Sequence, residues 1–156
     1  MTSSTPLRPG DVAPDVELLD THGTPLRLTG LRGGAVAVVF FPFAFSGTCT
    51  QELCELRDNL EDFEQARVRL LAVSCDPVHT LRAWSEQQGF TFDLLSDFWP
   101  HGEAASAFGV FDGDRGLARR GSFLVDADGI VRWSVVNPPG RARELGAYRA
   151  ALAGLA

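Results

Sequence analysis

Cys49, Cys54 and Cys75 are the residues of this chain best suited to covalent chemistry, and Cys49 sits where a thiol becomes a nucleophile. It follows the loop Pro42-Phe43-Ala44-Phe45-Ser46-Gly47-Thr48 and opens a run of helical periodicity. Thr48, with Gln51 three residues on, reads as a capping box that puts Cys49 in the first helical turn. The unpaired N–H groups there, and the positive end of the macrodipole, favour a thiolate over a thiol. At about 100° per residue, Cys49 falls at the centre of the stripe Leu53, Leu56, Leu60 and Phe63, so its sulfur points into the protein body and a pocket. A cysteine on such a stripe also packs well as a small hydrophobe, and residue types alone leave the two roles evenly weighted.

The elements that hold this loop follow from hydrophobic period. Residues 35–41 form a near-unbroken apolar run rich in Val and Phe, a strand buried on both faces, which Pro42 ends. The helix after Cys49 is predicted to reach about residue 65, and 68–74 is a second buried strand, giving a strand-helix-strand unit with a right-handed crossover. Before this unit, 16–19 and 26–28 flank the His22-Gly23 turn as a short hairpin. After it come a helix over 80–88 stopped by Gly89, a short strand at 92–95 and a short helix at 103–108. Strands at 122–125 and 130–136 are joined through Asp126-Ala127-Asp128-Gly129, and a helix over 143–155 closes the chain. This order predicts an α/β fold, a mixed central sheet with helices on both faces, in one domain over 1–156.

Composition narrows the partners. A formal charge of −6 and a pI near 5.0 argue against nucleic acid or an anionic membrane surface. The apolar run 35–45 is broken by Pro42 and falls short of the roughly 20 residues that span a bilayer. The N-terminus carries neither a basic nor an apolar signal region, so a cytoplasmic protein is expected. Three cysteines, an odd number, do not make a disulfide framework. His22, His79 and His101 are scattered and no nucleotide loop is present, so neither a metal nor a cofactor is expected.

Pro42, Ser46 and Cys49 together resemble the Pro-x-x-x-Thr/Ser-x-x-Cys signature of the peroxiredoxin family. The resemblance extends to Pro9-Gly10-Asp11-Val12-Ala13-Pro14-Asp15 and to Arg120-Gly121-Ser122-Phe123-Leu124-Val125-Asp126, which is similar to the family's Arg-bearing strand. Ser96-Asp97-Phe98-Trp99-Pro100-His101-Gly102 and the compact length are most similar to the AhpE-like one-cysteine branch. The resemblance implies a thioredoxin-like fold and a thiol-dependent peroxidase acting on hydrogen peroxide, organic hydroperoxides and peroxynitrite. Cys49 would attack the peroxide and become a sulfenic acid. Arg120 and Ser46 would hydrogen-bond the peroxide, and Pro42 would shield the thiolate from water. Glu52 matches an acidic position that orients the arginine, although it also suits an ordinary first helical turn. Phe45 and Trp99 would line the pocket, a role that competes with plain core or interface packing. Arg119 rivals Arg120; strand alternation lets one of them face the site, and the motif favours Arg120.

The resemblance also implies a thiol reductant: thioredoxin, a glutaredoxin-like protein or a low-molecular-weight thiol. A homodimer or higher homo-oligomer is expected. Cys54 stands at the spacing of the resolving cysteine in the PrxQ-like branch. On an intact helix the pair is about 7.5 Å apart in rise and roughly 140° apart in rotation, beyond disulfide reach, so a bond requires the first turns to unwind. Cys75 is expected to be a buried structural thiol. Two other functions compete with this reading. A thiol-disulfide oxidoreductase would carry Cys three residues before Cys49, where Ser46 stands. A redox sensor or holdase would react with peroxide once, without sustained turnover.

Overall fold

Alternation along one strand organises the molecule. In β3 (Ala35–Phe40), Val36, Val38 and Phe40 enter one apolar cluster, while Ala37 and Val39, with Phe41 just beyond, enter another on the opposite face. A strand with no polar face belongs in the middle of a sheet, and β3 pairs on both sides. The computed structural model describes residues 5–155.

β3 runs parallel to β4 (Val68–Ser74), and β4 runs parallel to β5 (Asp93–Ser96). On its other side β3 pairs antiparallel with β8 (Arg120–Val125), which forms a hairpin with β9 (Val131–Asn137). The short hairpin β1 (Glu17–Leu19) and β2 (Pro25–Arg27) extends the far edge, for an order β2-β1-β5-β4-β3-β8-β9. One face is covered by α1 (Gly47–Asp58), α2 (Glu61–Gln65), α3 (Val78–Gln88) and α5 (Leu145–Ala153), through Leu53, Phe63, Trp84 and Leu152 among others. The other face receives α4 (Glu103–Ala107) and the N-terminal segment. The mixed sheet with helices on both faces thus matches expectation. Among the described residues no helix is long and apolar enough to cross a membrane.

Several boundaries differ from the periodicity. The helix predicted to reach residue 65 stops at Asp58 and resumes as α2, because Asn59 Nδ2 donates to the Glu55 carbonyl at 2.9 Å and competes with helix continuation. The apolar stripe survives the break, with Phe63 still buried. The last helix begins at Leu145 rather than 143, since residue 143 is drawn into the site described below. A two-stranded ribbon, β6 (Phe111–Asp112) and β7 (Leu117–Ala118), has no counterpart in the hydrophobic pattern, since two-residue strands carry no readable period. Gly89 ends α3 as expected, with φ of 68°.

Gly121, directly after Arg120, is where the sheet tolerates no side chain. A Cβ there would meet Val110 Cγ1 at 2.7 Å, inside contact distance. Gly121→Ala should therefore destabilise the protein by about 1–3 kcal/mol through overpacking, read as a lowered urea midpoint. Gly113→Ala, whose Cβ would meet nothing nearer than 4.0 Å, is the control and should stay near the parent.

Candidate active site

The loop that β3 delivers to α1 is short, and its last residue before the helix, Ser46, is the cap. Ser46 is extended (φ −72°, ψ 151°) and its Oγ accepts from Cys49 N at 3.4 Å. Thr48, the expected cap, lies inside the first turn instead. Both residues are good caps, and the chain direction after Phe45, at φ 69°, selects Ser46. Cys49 remains in the first turn either way. Its sulfur lies in the apolar cluster under the sheet, and the residue is 0% exposed, so it is enclosed rather than set in an open pocket. Pro42 is buried at the start of the same loop.

Arg120, at the start of β8, reaches across to this turn. Its Nη1 donates to Cys49 Sγ at 3.2 Å and to Glu52 Oε1 at 2.6 Å, and its Nε donates to the Pro139 carbonyl at 2.5 Å. Arg119, half-exposed, lies between β7 and β8 and outside both strands, so the structure brings Arg120 rather than Arg119 against Cys49 by chain position and not by strand alternation. Glu52 is on the same face of α1 as Cys49, three residues on, and it is buried.

A second arginine completes the arrangement. Arg143, also buried, donates to Glu52 from its backbone N (2.5 Å), its Nε (3.0 Å) and its Nη2 (3.0 Å). Its Nη1 faces the carbonyls of Phe40 (2.7 Å) and Gly121 (3.0 Å) and Ser122 Oγ (2.9 Å), which in turn bonds the Tyr148 hydroxyl at 2.7 Å. Burial works against the Glu52 carboxylate, but the hydrogen bonds and charge of Arg143, with Arg120, outweigh it and hold the carboxyl below its usual range. Sequence reasoning missed Arg143. Its one signal was a basic residue at the start of a supposed helix, where the macrodipole disfavours it.

The remaining cysteines differ in kind. Cys75 is buried at the end of β4, and burial, with Asp97 and Asp76 nearby, pushes its thiol up to about 12. Cys54 is half-buried on the flank of α1, its Sγ 3.3 Å from Gln88 Oε1 on α3, and all three cysteines are free. The aromatic residues expected to line a peroxide pocket are both exposed for at least half of their surface. Trp99 is 83% exposed. Phe45 is 50% exposed and rests on Trp84, with ring centroids 6.1 Å apart. Among the described residues no group of three or more His, Cys, Asp or Glu side chains is placed to hold a metal ion.

Comparison with known proteins points in one direction. A family model described as the AhpC/TSA family matches residues 9–134. Alkyl hydroperoxide reductase E of Mycobacterium tuberculosis H37Rv is 46% identical over 150 residues, 96% of this chain and 98% of that protein. Peroxiredoxin Bcp of Escherichia coli K12 is 37% identical over 134 residues, 81% of this chain and 83% of that one. Among solved structures, peroxidoxin BcpB of Mycobacterium tuberculosis superposes with a TM-score of 0.85 at 32% identity, covering 96% of this chain and 99% of the other. Enterococcus faecalis AhpC gives 0.86 at 25% identity, covering 94% and 91%.

The buried carboxylate between two guanidiniums carries a pH signature. The folded-state value of Glu52 lies below the ordinary 4.5, so its stabilising contribution is full above that pH and is lost as pH falls through the lower folded value. Glu52→Gln, which leaves two buried guanidiniums facing a neutral amide, should cost about 3–5 kcal/mol near neutral pH. The gap between the urea midpoints of parent and variant should narrow below pH 4.5. A gap that does not change with pH would contradict this account of Glu52.

Proposed function

Because this chain belongs to the AhpC/TSA family of peroxiredoxins and is a thiol-dependent peroxidase of thioredoxin-like fold, we propose that Cys49 is the residue that meets the peroxide. The observation that carries the proposal is the 3.2 Å contact from Arg120 Nη1 to Cys49 Sγ. Two buried guanidiniums face one carboxylate, leaving one positive charge unmatched; a thiolate on Cys49 balances it. The first turn of α1 adds the Cys49 backbone N–H and the helix dipole.

In the proposed reaction the Cys49 thiolate attacks one peroxide oxygen. The S–O bond forms as the O–O bond breaks, leaving a sulfenic acid on Cys49 and an alkoxide or hydroxide that takes up a proton to leave as alcohol or water. Charge builds on the departing oxygen, and donors must already point there. Arg120 Nη2, without a protein acceptor among the described residues, is one such donor. The Ser46 hydroxyl is the other: its oxygen is used by the cap, but its own hydrogen is free to turn toward substrate. Pro42 keeps water from the loop, Glu52 holds Arg120 in aim, and Arg143 holds Glu52. The whole chain, 1–156, acts as one domain.

A peroxide is the substrate and a thiol the reductant; hydrogen peroxide, organic hydroperoxides and peroxynitrite all fit a site that grips only the O–O unit. We assign resolution to Cys54: Cys49–SOH and Cys54–SH condense to a disulfide and water. Thioredoxin, a glutaredoxin-like protein or a low-molecular-weight thiol then reduces it. Both cysteines lie on the intact α1, so condensation needs its first turns to unwind. Three free thiols suit a cytoplasmic setting. A homodimer is also proposed, since Phe43, Phe45, Phe98 and Trp99 expose large apolar surfaces in the turns that follow β3 and β5.

Peroxide consumption with a supplied reductant tests the assignment of Cys49. Cys49→Ser should lose activity by at least about 1,000-fold while Cys75→Ser stays near parent, and full activity in Cys49→Ser would overturn it. Intact-mass measurement after one equivalent of peroxide, with dimedone present, tests Cys54. The expected product is an intramolecular disulfide, and a stable dimedone adduct on Cys49 with Cys54 still alkylatable would contradict that role.

A further inference from the structure

The loop before Cys49 is held by very little. Phe41 N makes the last sheet-like bond, to Val73 O at 2.9 Å, and Ser46 begins the helical bonding by accepting from Thr50 N at 2.8 Å. Among the described hydrogen bonds, residues 42–45 make one: Ala44 N donates to Asp76 Oδ2 at 2.8 Å. Next to it Phe45 sits in the left-handed region at φ 69°, a conformation that a side chain other than glycine keeps only when its surroundings impose it. Beneath it the Phe45 ring rests on Trp84, whose buried Nε1–H has no partner, so the underside offers no polar hold.

Asp76 itself is fixed by three hydrogen bonds to two serine side chains. Its Oδ2 also accepts from Ser74 Oγ at 2.6 Å, its N donates to the same hydroxyl at 3.3 Å, and its carbonyl accepts from Ser96 Oγ at 2.6 Å. The carboxylate is therefore anchored to the end of β4, the Asp76 backbone to the end of β5, and the pair presents the carboxylate to the loop from the sheet.

We propose that Asp76 is a positioning residue: a latch that, through Ala44, holds the Phe45 turn in its strained conformation and keeps Cys49 closed against Arg120. This rests on the assignment of Cys49 as the peroxide-reactive thiol. Two processes at the same sulfur then depend on the latch in opposite senses. Peroxide reduction needs Ser46, the helix N-terminus and Arg120 converged on the sulfur, so releasing the latch slows it. Attack on a bulky electrophile needs only that the buried sulfur be uncovered, so releasing the latch speeds it. A residue needed only for folding would not split the two.

The test measures, on the reduced protein, the second-order rate constant with hydrogen peroxide and the rate of N-ethylmaleimide labelling at Cys49, located by peptide mass spectrometry. Asp76→Ala is expected to lower the first by about tenfold and raise the second severalfold. Asp76→Asn, which keeps an oxygen acceptor for Ala44 N–H, is expected to remain within about twofold of the parent in both. Rates that fall together, rates that do not move, or an asparagine variant as impaired as the alanine one would overturn the latch. Failure of the underlying assignment reads differently: Cys49→Ser would retain turnover, whatever the labelling rates of the Asp76 variants.

Discussion

A carboxylate removed from water between two guanidiniums is the interaction around which the rest of this molecule is arranged. Glu52 comes from α1, Arg120 from β8, and Arg143 from the segment leading into α5; Arg143 in turn reaches the carbonyl of Phe40 at the end of β3. Four segments distant in sequence are thereby tied at one end of the sheet. Charges buried this way add little net stability over apolar packing of the same volume, but each is costly to leave alone. The arrangement fixes where Arg120 points, and that direction determines what the sulfur of Cys49 meets.

The sheet makes such a cluster possible. Because β3 is apolar on both faces and central, its carboxyl end opens between two covered layers, and a loop leaving it starts out already shielded from water. α1 lies flat on one of these layers through Leu53 and Leu56. Cys49 and Glu52 share the helix face turned inward, so the thiol and the carboxylate that bonds Arg120 arrive together. On the other strand, β8 places Arg120 toward α1 and Ser122 toward Arg143.

Enclosure brings a conflict between closing and opening. A fully buried sulfur is well placed for differential stabilisation of a small substrate's departing oxygen, and badly placed to meet another thiol. Burial at the Cys49 turn thus coexists with a lightly tethered loop and a half-buried Cys54 on the same helix. The Glu52 cluster and the sheet carry many hydrogen bonds, while residues 42–45 are held by few.

The candidate site residues and the elements that carry them are largely legible from the chain alone. Pro42, Ser46 and Cys49 lie in one short segment, and the runs at 35–41 and 68–74 are long and uniform enough for their period to be unambiguous. Arg120 was legible through its local motif, and Glu52 through its match to an acidic position of the family, where an ordinary first-turn charge competed. Choices between residues of equal local propensity were not legible. Ser46 and Thr48 cap helices equally well, and Asn59 interrupts a helix whose apolar stripe continues regardless. Arg143 left only the weak signal of a basic residue at a supposed helix start, because its contacts are with Glu52, Phe40 and Ser122, all far from it in sequence. Trp99 reads like any aromatic near a site until its exposure is known. The sequence by itself therefore determined which thiol lies at a helix start and on which face. Only the tertiary structure decided what surrounds that thiol, because burial and charge pairing come from elements that meet only once the chain has folded.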